Sequence, residues 1–301
     1  MTDGHIHSIP DVSSPGGSFA CAGPSGTAVA PPPELPADPT RRLAWLAEHY
    51  WDSFNWNDAR WTDEESALEG AFMFWADLLG RISETDAARL SGALLHKVDS
   101  HPDIQLLLLD AAGYFWQHPG SMFRNEELLI PMLETAIAAP GIGDIHKARL
   151  RARLASALRN RPGTRAADFT YTTGDGTQGT LHGFRAGYTL LMFYDPGCPE
   201  CGRIEEYIPH SEVFAPMIAS GRLKVLAIYP DEDVEAWREH LPQMPTGWTV
   251  GHAPMGKDGT AAYDLPGIPA LCLLDRDKTV LVKDRPVDVI EQWLAKHADG
   301  K

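Results

Sequence analysis

The stretch "YTLLMFYDPGCPECGRIEEY", Tyr188 to Tyr207, constrains the fold more than any other. It opens with a continuous apolar run from Tyr188 to Tyr194, without the polar alternation of a strand that has one wet face. Runs of this kind belong to strands covered on both faces. Cys198 and Cys201 follow, separated by Pro199 and Glu200, and a helix is predicted to begin at Cys198. A second buried strand, "RLKVLAIYP", comes after that helix. Buried strands alternating with helices imply an α/β sheet.

The flanking segments extend the same pattern. "ADFTYTTGDGTQGTLHGF" carries Gly174-Asp175-Gly176 between β-prone runs, a hairpin signal. Pro209 is expected to kink or interrupt the helix that starts at Cys198. "DEDVEAWREHL" reads as a short helix with acidic residues in its first turn, where the helix dipole favours them. "KDGTAAYDL" reads as a further helical turn. "PALCLLD" and "TVLVKD" read as strands joined by Arg276-Asp277-Lys278, and "PVDVIEQWLAKH" as a closing helix with Pro286 at its start.

The first half of the chain has a different period. Asp38 is a candidate N-cap, with proline at the first helical position after it. Thr62 is the expected N-cap of "TDEESALEGAFMFWADLLGRI", whose Leu68, Phe72, Trp75 and Leu79 mark one face of a buried helix. Ser83 and Asp86 stand at the offset typical of helix starts. "PDIQLLLLDAAGYFWQH", "NEELLIPMLETAIAA" and "GDIHKARLRARLASALRN" follow, so five or six helices fit an α-helical domain. Trp45, Trp51, Trp56, Trp61, Trp75 and Trp116 all fall here. Their apolar neighbours at helical spacing favour core packing over an aromatic ligand cleft. The basic run "KARLRARLASALRNR" reads as a solvated helix face. "RPGTRA" marks a boundary. The expected organisation is a flexible leader over 1–37, a helical domain over 38–160 and an α/β domain over 165–301.

The 301 residues suffice for two domains of ordinary size, and the formal net charge of -15 disfavours nucleic acid and anionic membranes as partners. No apolar run approaches the roughly 20 residues of a membrane span. The first residues lack the basic start and apolar stretch of a secretory signal and are rich in Gly, Pro and Ser. "SFAC", ending at Cys21, is only faintly like a lipoprotein processing site.

Three chemistries compete for Cys198 and Cys201. Zinc needs four ligands, and neither a second Cys-x-x-Cys nor a suitably spaced His pair exists; His182, His210 and His252 are scattered. A purely structural disulfide would close a very small loop and restrict the unfolded chain little. Redox exchange suits the position. A thiol at a helix N-terminus faces unpaired N–H groups and the positive end of the dipole, which stabilise the attacking thiolate. Cys198 would attack, and Cys201, one turn into the helix, would resolve the mixed disulfide. Pro199 suits the first helical position. Cys272, alone in an apolar strand, is expected to be a buried inert thiol rather than a third redox group.

With "ADFTY", "TLLMFYDPGCPEC" and "YDLPGIPALCLLD", the second half resembles the thioredoxin-like superfamily, specifically TlpA/ResA-type thiol-disulfide oxidoreductases. "HYWDSFNWNDARW", "FMFWADLL" and "FWQHPGSMFRNEELLIPMLE" resemble the uncharacterised helical domain DUF5106, which precedes a thioredoxin-like domain in secreted Bacteroidetes proteins. The resemblance implies an α-helical N-terminal domain and a central mixed sheet flanked by helices. It implies a cis bond at Ile268-Pro269 beside the cysteines, with the backbone of Ile268 pairing with an extended substrate. The substrate groove would comprise Pro269, Ile268, Pro199, Glu200 and Tyr194. It also implies a place in the cell envelope or periplasm, partners that are protein or peptide thiols and disulfides, an upstream thiol donor of electrons, and no prosthetic group.

Some positions depart from the family pattern. Met192 stands where thioredoxin has a buried acid, Gly197 where an aromatic is common, and Ile204 where TlpA/ResA proteins often have glutamate. Glu205, Glu206 or water is left as the proton acceptor for Cys201. Glu200 and Asp195 disfavour a thiolate at Cys198 by like charge, which points to a reductant or exchanger. A peroxidase is disfavoured, because the threonine or serine offset of peroxiredoxins is missing before Cys198. The rival from another class is a binding module, in which the helical domain holds a ligand or protein and the α/β domain is a scaffold with a vestigial disulfide.

Overall fold

The structure, a computed structural model, describes residues 38–63, 65–254, 263, 265 and 267–298. "KDGTAAYDL", except for Tyr263 and Leu265, and the segment before Asp38 lie outside the described residues. The chain starts with α1 (Pro39–His49), whose N-cap Asp38 accepts the Thr40 N–H at 3.0 Å. A single turn, α2 (Arg60–Asp63), precedes α3 (Glu65–Gly80). Thr62 is therefore not the N-cap of the long helix. It sits inside α2, and its hydroxyl donates to the Ala59 carbonyl at 3.0 Å. Asp58 instead accepts the Arg60 N–H at the start of α2, at 3.1 Å. In α4 (Glu84–Leu94) the N-cap Ser83 accepts from Asp86 N at 3.1 Å and donates to the Asp86 carboxylate at 2.6 Å.

Three helices complete this half: α5 (Pro102–Gln117), α6 (Glu126–Ala138) and α7 (Asp144–Ala157). Pro131 lies inside α6 and packs at Gly92 of α4, where an added Cβ would stand 3.0 Å from the proline ring. Trp51, Trp61, Trp75 and Trp116 are fully buried in one core, with Trp56 packed against it. The indole of Trp75 donates to Ala47 O at 2.9 Å, and that of Trp61 to Asn55 O at 2.8 Å. All four rings are core; the polar edges of Trp61 and Trp75 are satisfied, while Nε1 of Trp51 and of Trp116 has no hydrogen-bond partner among the described residues. The basic helix α7 exposes Arg149 and Arg151 to solvent, as expected, with one exception. Arg153 turns inward, donating to Gln117 at 2.7 Å and to Leu109 O at 3.3 Å.

Among the described residues, the second half forms a seven-stranded mixed sheet. A hairpin opens it: β1 (Thr170–Thr173) and β2 (Gln178–Thr180) pair antiparallel, with Gly176 at φ +87° in the turn. Then come β3 (Tyr188–Phe193), α8 (Pro199–His210), α9 (Phe214–Ala219), β4 (Leu223–Tyr229), α10 (Val234–His240), β5 (Thr249–His252), β6 (Ala270–Leu274), β7 (Val280–Lys283) and α11 (Val287–His297). The strand order is β2-β1-β5-β4-β3-β6-β7. Pro209 falls in the last turn of α8, and Ser211 restarts the chain by accepting from Val213 N and Phe214 N at 3.1 and 2.8 Å. The short β5 has no counterpart in the sequence pattern.

Strand β3 lies between parallel β4 and antiparallel β6. Successive strand side chains point to opposite faces, and the apolar run divides accordingly. Leu190, Met192 and Tyr194 enter one core, Leu191 and Phe193 the other. Cys272 of β6 is buried in the second core, and burial raises its thiol above its ordinary range. The two halves are joined by more than the chain. Arg124 pairs with Asp284 at 3.0 Å and Lys283 with Glu126 at 2.6 Å; Arg124, Asp284 and Glu126 are buried and Lys283 nearly so. Between α7 and β1, Gly163 N donates to Val280 O, and Val280 N to Thr164 O, each at 2.8 Å.

Candidate functional site

The site forms where β3 hands over to α8. Asp195 shapes the turn: its carboxylate accepts from Gly197 N at 2.8 Å and its carbonyl from Cys198 N at 3.1 Å. Cys198 thereby becomes the N-cap of α8, with Pro199 at the first helical position. Its sulfur accepts the Cys201 N–H at 3.3 Å, one of the donors a helix start leaves free. The antiparallel register Phe193↔Ala270 brings the residues before β6 to the same end of the sheet. There Ile268-Pro269 is cis, and the Cys198 thiol points at the Ile268 carbonyl, 3.7 Å away.

Cys198 is partly exposed and Cys201 is 1 % exposed. Burial raises the Cys201 thiol well above its ordinary range, with the Cys198 sulfur and the Glu205 charge acting in the same direction. Alkylation of the reduced native protein with iodoacetamide is expected to label Cys198 while leaving Cys201 and Cys272 unmodified, as read by peptide mapping. Labelling of Cys201 at a comparable rate would contradict this geometry.

The two candidate carboxylates part company. Glu206 is exposed. Glu205 lies one turn beyond Cys201, on the same helix face. Its side chain is 12 % exposed and meets His240 of α10, 14 % exposed, with Oε2 and Nε2 3.5 Å apart. Burial raises the Glu205 carboxyl, and His240 only partly offsets this. Glu205 Oε1 has no hydrogen-bond partner among the described residues.

Tyr194, expected in the substrate groove, is fully buried and cannot line one. It continues the Leu190–Met192 side of the strand, so its ring enters the core near His240, with centroids 5.8 Å apart. Burial and the charge of Glu205 raise its phenol. Pro199 is exposed, while Glu200 is partly covered and paired with Arg203, which tempers its repulsion of Cys198. Ile204 and Met192 are buried apolar residues with no proton to exchange. His182, His210 and His252 each bond a nearby backbone carbonyl. No group of three or more His, Cys, Asp or Glu placed to hold a metal ion occurs among the described residues. Two site residues carried no signal in the sequence, His240 and Arg124. Each reaches the site only through tertiary packing, from α10 and from the turn before α6.

A thiol at a helix N-cap beside a cis-proline, on a central strand flanked by helices, is the arrangement of a thioredoxin-like fold. Residues 13–160 match the family model of DUF5106, a domain of unknown function. A thioredoxin-like protein from Bacteroides caccae is 34 % identical over 89 % of this chain and 97 % of its own, with a TM-score of 0.80. The chain belongs to the family in which a DUF5106 domain is joined to a thioredoxin-like domain. The C-terminal domain of an uncharacterised protein from Bacteroides fragilis is 43 % identical over 45 % of this chain and 98 % of its own, with a TM-score of 0.43. A putative thiol:disulfide interchange protein from Chlorobium tepidum is 26 % identical over 45 % of this chain and 96 % of its own, with a TM-score of 0.39. No curated protein matches.

Proposed function

We propose that the protein is a thiol-disulfide oxidoreductase acting on protein or peptide disulfides. The observation that carries this reading is the Cys198 sulfur, held between the Cys201 N–H and the Ile268 carbonyl beside a cis-proline. The Cys198 thiolate attacks one sulfur of a substrate disulfide. That S–S bond breaks, and the other substrate sulfur leaves and takes a proton. Cys201 then gives up its proton and attacks Cys198, the mixed disulfide breaks, and the second substrate thiol departs. The substrate gains two electrons and two protons, and Cys198 and Cys201 become a disulfide. An upstream dithiol protein restores the pair by the reverse exchange, so no prosthetic group takes part.

Glu205 receives the proton of Cys201, because it is the buried carboxylate on the same helix face. The backbone of Ile268 pairs with the substrate chain as an added strand. A cell-envelope setting suits this chemistry, since disulfides form and persist in oxidising compartments. Among the described residues, no helix is long and apolar enough to cross a membrane.

Cys201→Ser removes the resolving step and should accumulate mixed disulfides with substrate peptides, visible by non-reducing electrophoresis and mass spectrometry. Adding Cys198→Ser should abolish them. If no adduct forms with a protein or peptide disulfide, or if adducts persist without Cys198, the assignment fails.

A further inference from the structure

We propose that the helical domain supplies one wall of the substrate site, and that the cleft between the domains takes an apolar residue flanking the cysteine of an extended peptide. This rests on the thiol-disulfide reading and adds a substrate class to it.

The turn between α5 and α6 is seated directly against the cis-proline loop. A Cβ at Gly267 would stand 2.1 Å from Cγ of Pro119, so only a glycine lets the two segments approach this closely. Arg124, 4 % exposed, donates from Nη1 to the Pro269 carbonyl at 2.6 Å and pairs through Nη2 with Asp284. Lys283 and Glu126 form a second buried pair beside it. A buried charged pair is costly unless its partners stay together, so these contacts hold the domains in one register. The helical domain therefore bounds the groove in a fixed position.

Between them lies a cleft of about 300 Å³. Pro119 and Met122 line it from the helical side, and Glu200, Ile204, Pro269 and Val287 from the thioredoxin-like side. Glu200 and Pro269 adjoin Cys198 and Ile268, so a chain paired with Ile268 and joined to Cys198 puts a neighbouring side chain into this space. The volume is at the lower end for ligand pockets, enough for a short stretch of chain rather than a folded surface. Its charged walls are largely balanced. Glu200 pairs with Arg203, Arg124 with Asp284, and Arg285 with Glu84 at 3.8 Å, with Asp288 a second opposing charge nearby. The buried Nε atoms of Arg124 and Arg285 have no hydrogen-bond partner among the described residues but are shut away from the cleft surface, and the large apolar side chain that stands exposed on the lining is Met122. Met122 is 73 % exposed at the rim, a flexible thioether suited to varied apolar partners.

Met122→Asp tests the proposal in the full chain, since a side chain this exposed can change without disturbing the fold. Two peptide disulfides, with leucine or aspartate next to the cysteine, are compared with hydroxyethyl disulfide, which is too small to reach the cleft. The leucine peptide should be preferred by the unmodified chain, and Met122→Asp should lower its kcat/KM roughly tenfold. Turnover of hydroxyethyl disulfide should not change. Equal effects on all three substrates, or no effect on any, would overturn the proposal. Calorimetric binding of the leucine peptide with serine in place of its cysteine separates the cleft from the chemistry. Weaker binding by Met122→Asp supports the cleft even if no disulfide is reduced, and equal or absent binding to both proteins refutes it.

Discussion

Replacing Glu205 by glutamine is expected to slow the resolving attack of Cys201 by about a hundredfold, the usual scale for a positioned proton acceptor. The first attack by Cys198 should keep its rate. Glutamine preserves the shape of the side chain and removes only the basic oxygen. Rapid-quench kinetics separates the two steps, since mixed disulfide accumulates when resolution is slow. The exposed Glu206→Gln serves as a control and should resolve at the unmodified rate. Wild-type resolution in Glu205→Gln across the pH range would remove Glu205 from the mechanism.

The pH profile supplies a second readout. Glu205 must be ionised to accept a proton, and its burial raises its pKa. Resolution should therefore accelerate as pH rises through a value above the ordinary carboxylate range, and glutamine should flatten that limb. The groups facing Glu205 are Cys201 on its own helix, Tyr194 after β3 and His240 on α10. Cys201 and Glu205 influence each other, so the apparent values belong to the pair. Stability should move the opposite way. A carboxyl with a raised folded pKa stabilises the fold while protonated, and this contribution is lost as pH rises through that value. Glutamine is always neutral, so Glu205→Gln should be at least as stable as the natural chain at neutral pH. A group held at a cost to stability while serving the chemistry would show this combination of effects.

Much of this arrangement was legible in the residues. The run Tyr188–Tyr194 marked the central strand, and its alternation with the helices and buried strands that follow set the class of fold. Asp38 and Ser83 marked helix starts, because their side chains bond locally. Thr62 misled, since the same local chemistry was available to it in a preceding turn capped by Asp58. The strand β5 has four residues, including Gly251. It is held by pairing with β1 and β4, and Tyr171 and Ile228 sit where a Cβ on that glycine would stand, which no local pattern records. Tyr194 could have been placed correctly from strand alternation, being in phase with Leu190 and Met192. Glu205 was visible as a candidate, but its preference over Glu206 depends on His240, which only the fold brings near. Arg124 likewise looked like any charged residue before a helix.

Arg124 carries the largest expected effect on stability. Arg124→Met leaves the Asp284 carboxyl, 6 % exposed, without its main partner, and should destabilise the chain by roughly 3–5 kcal/mol at neutral pH. It also takes the donor from the Pro269 carbonyl, so turnover of peptide disulfides should fall in the surviving folded fraction. The pH dependence identifies the cause. Burial already raises Asp284, and Arg124 is the principal group opposing that rise. Without Arg124 the rise grows, because Glu126 acts in the same direction and Lys283 is left to offset both. A raised folded pKa gives stability that is present in acid and lost as pH climbs through it. The variant should therefore resist urea better in mild acid than at neutral pH. Arg124→Met combined with Asp284→Leu removes both charges and should recover most of the loss, since an apolar pair can replace a buried ion pair at little cost. A single variant as stable as the natural chain at neutral pH, or a double variant no better than the single one, would show that this pair does not lock the helical domain to the redox site.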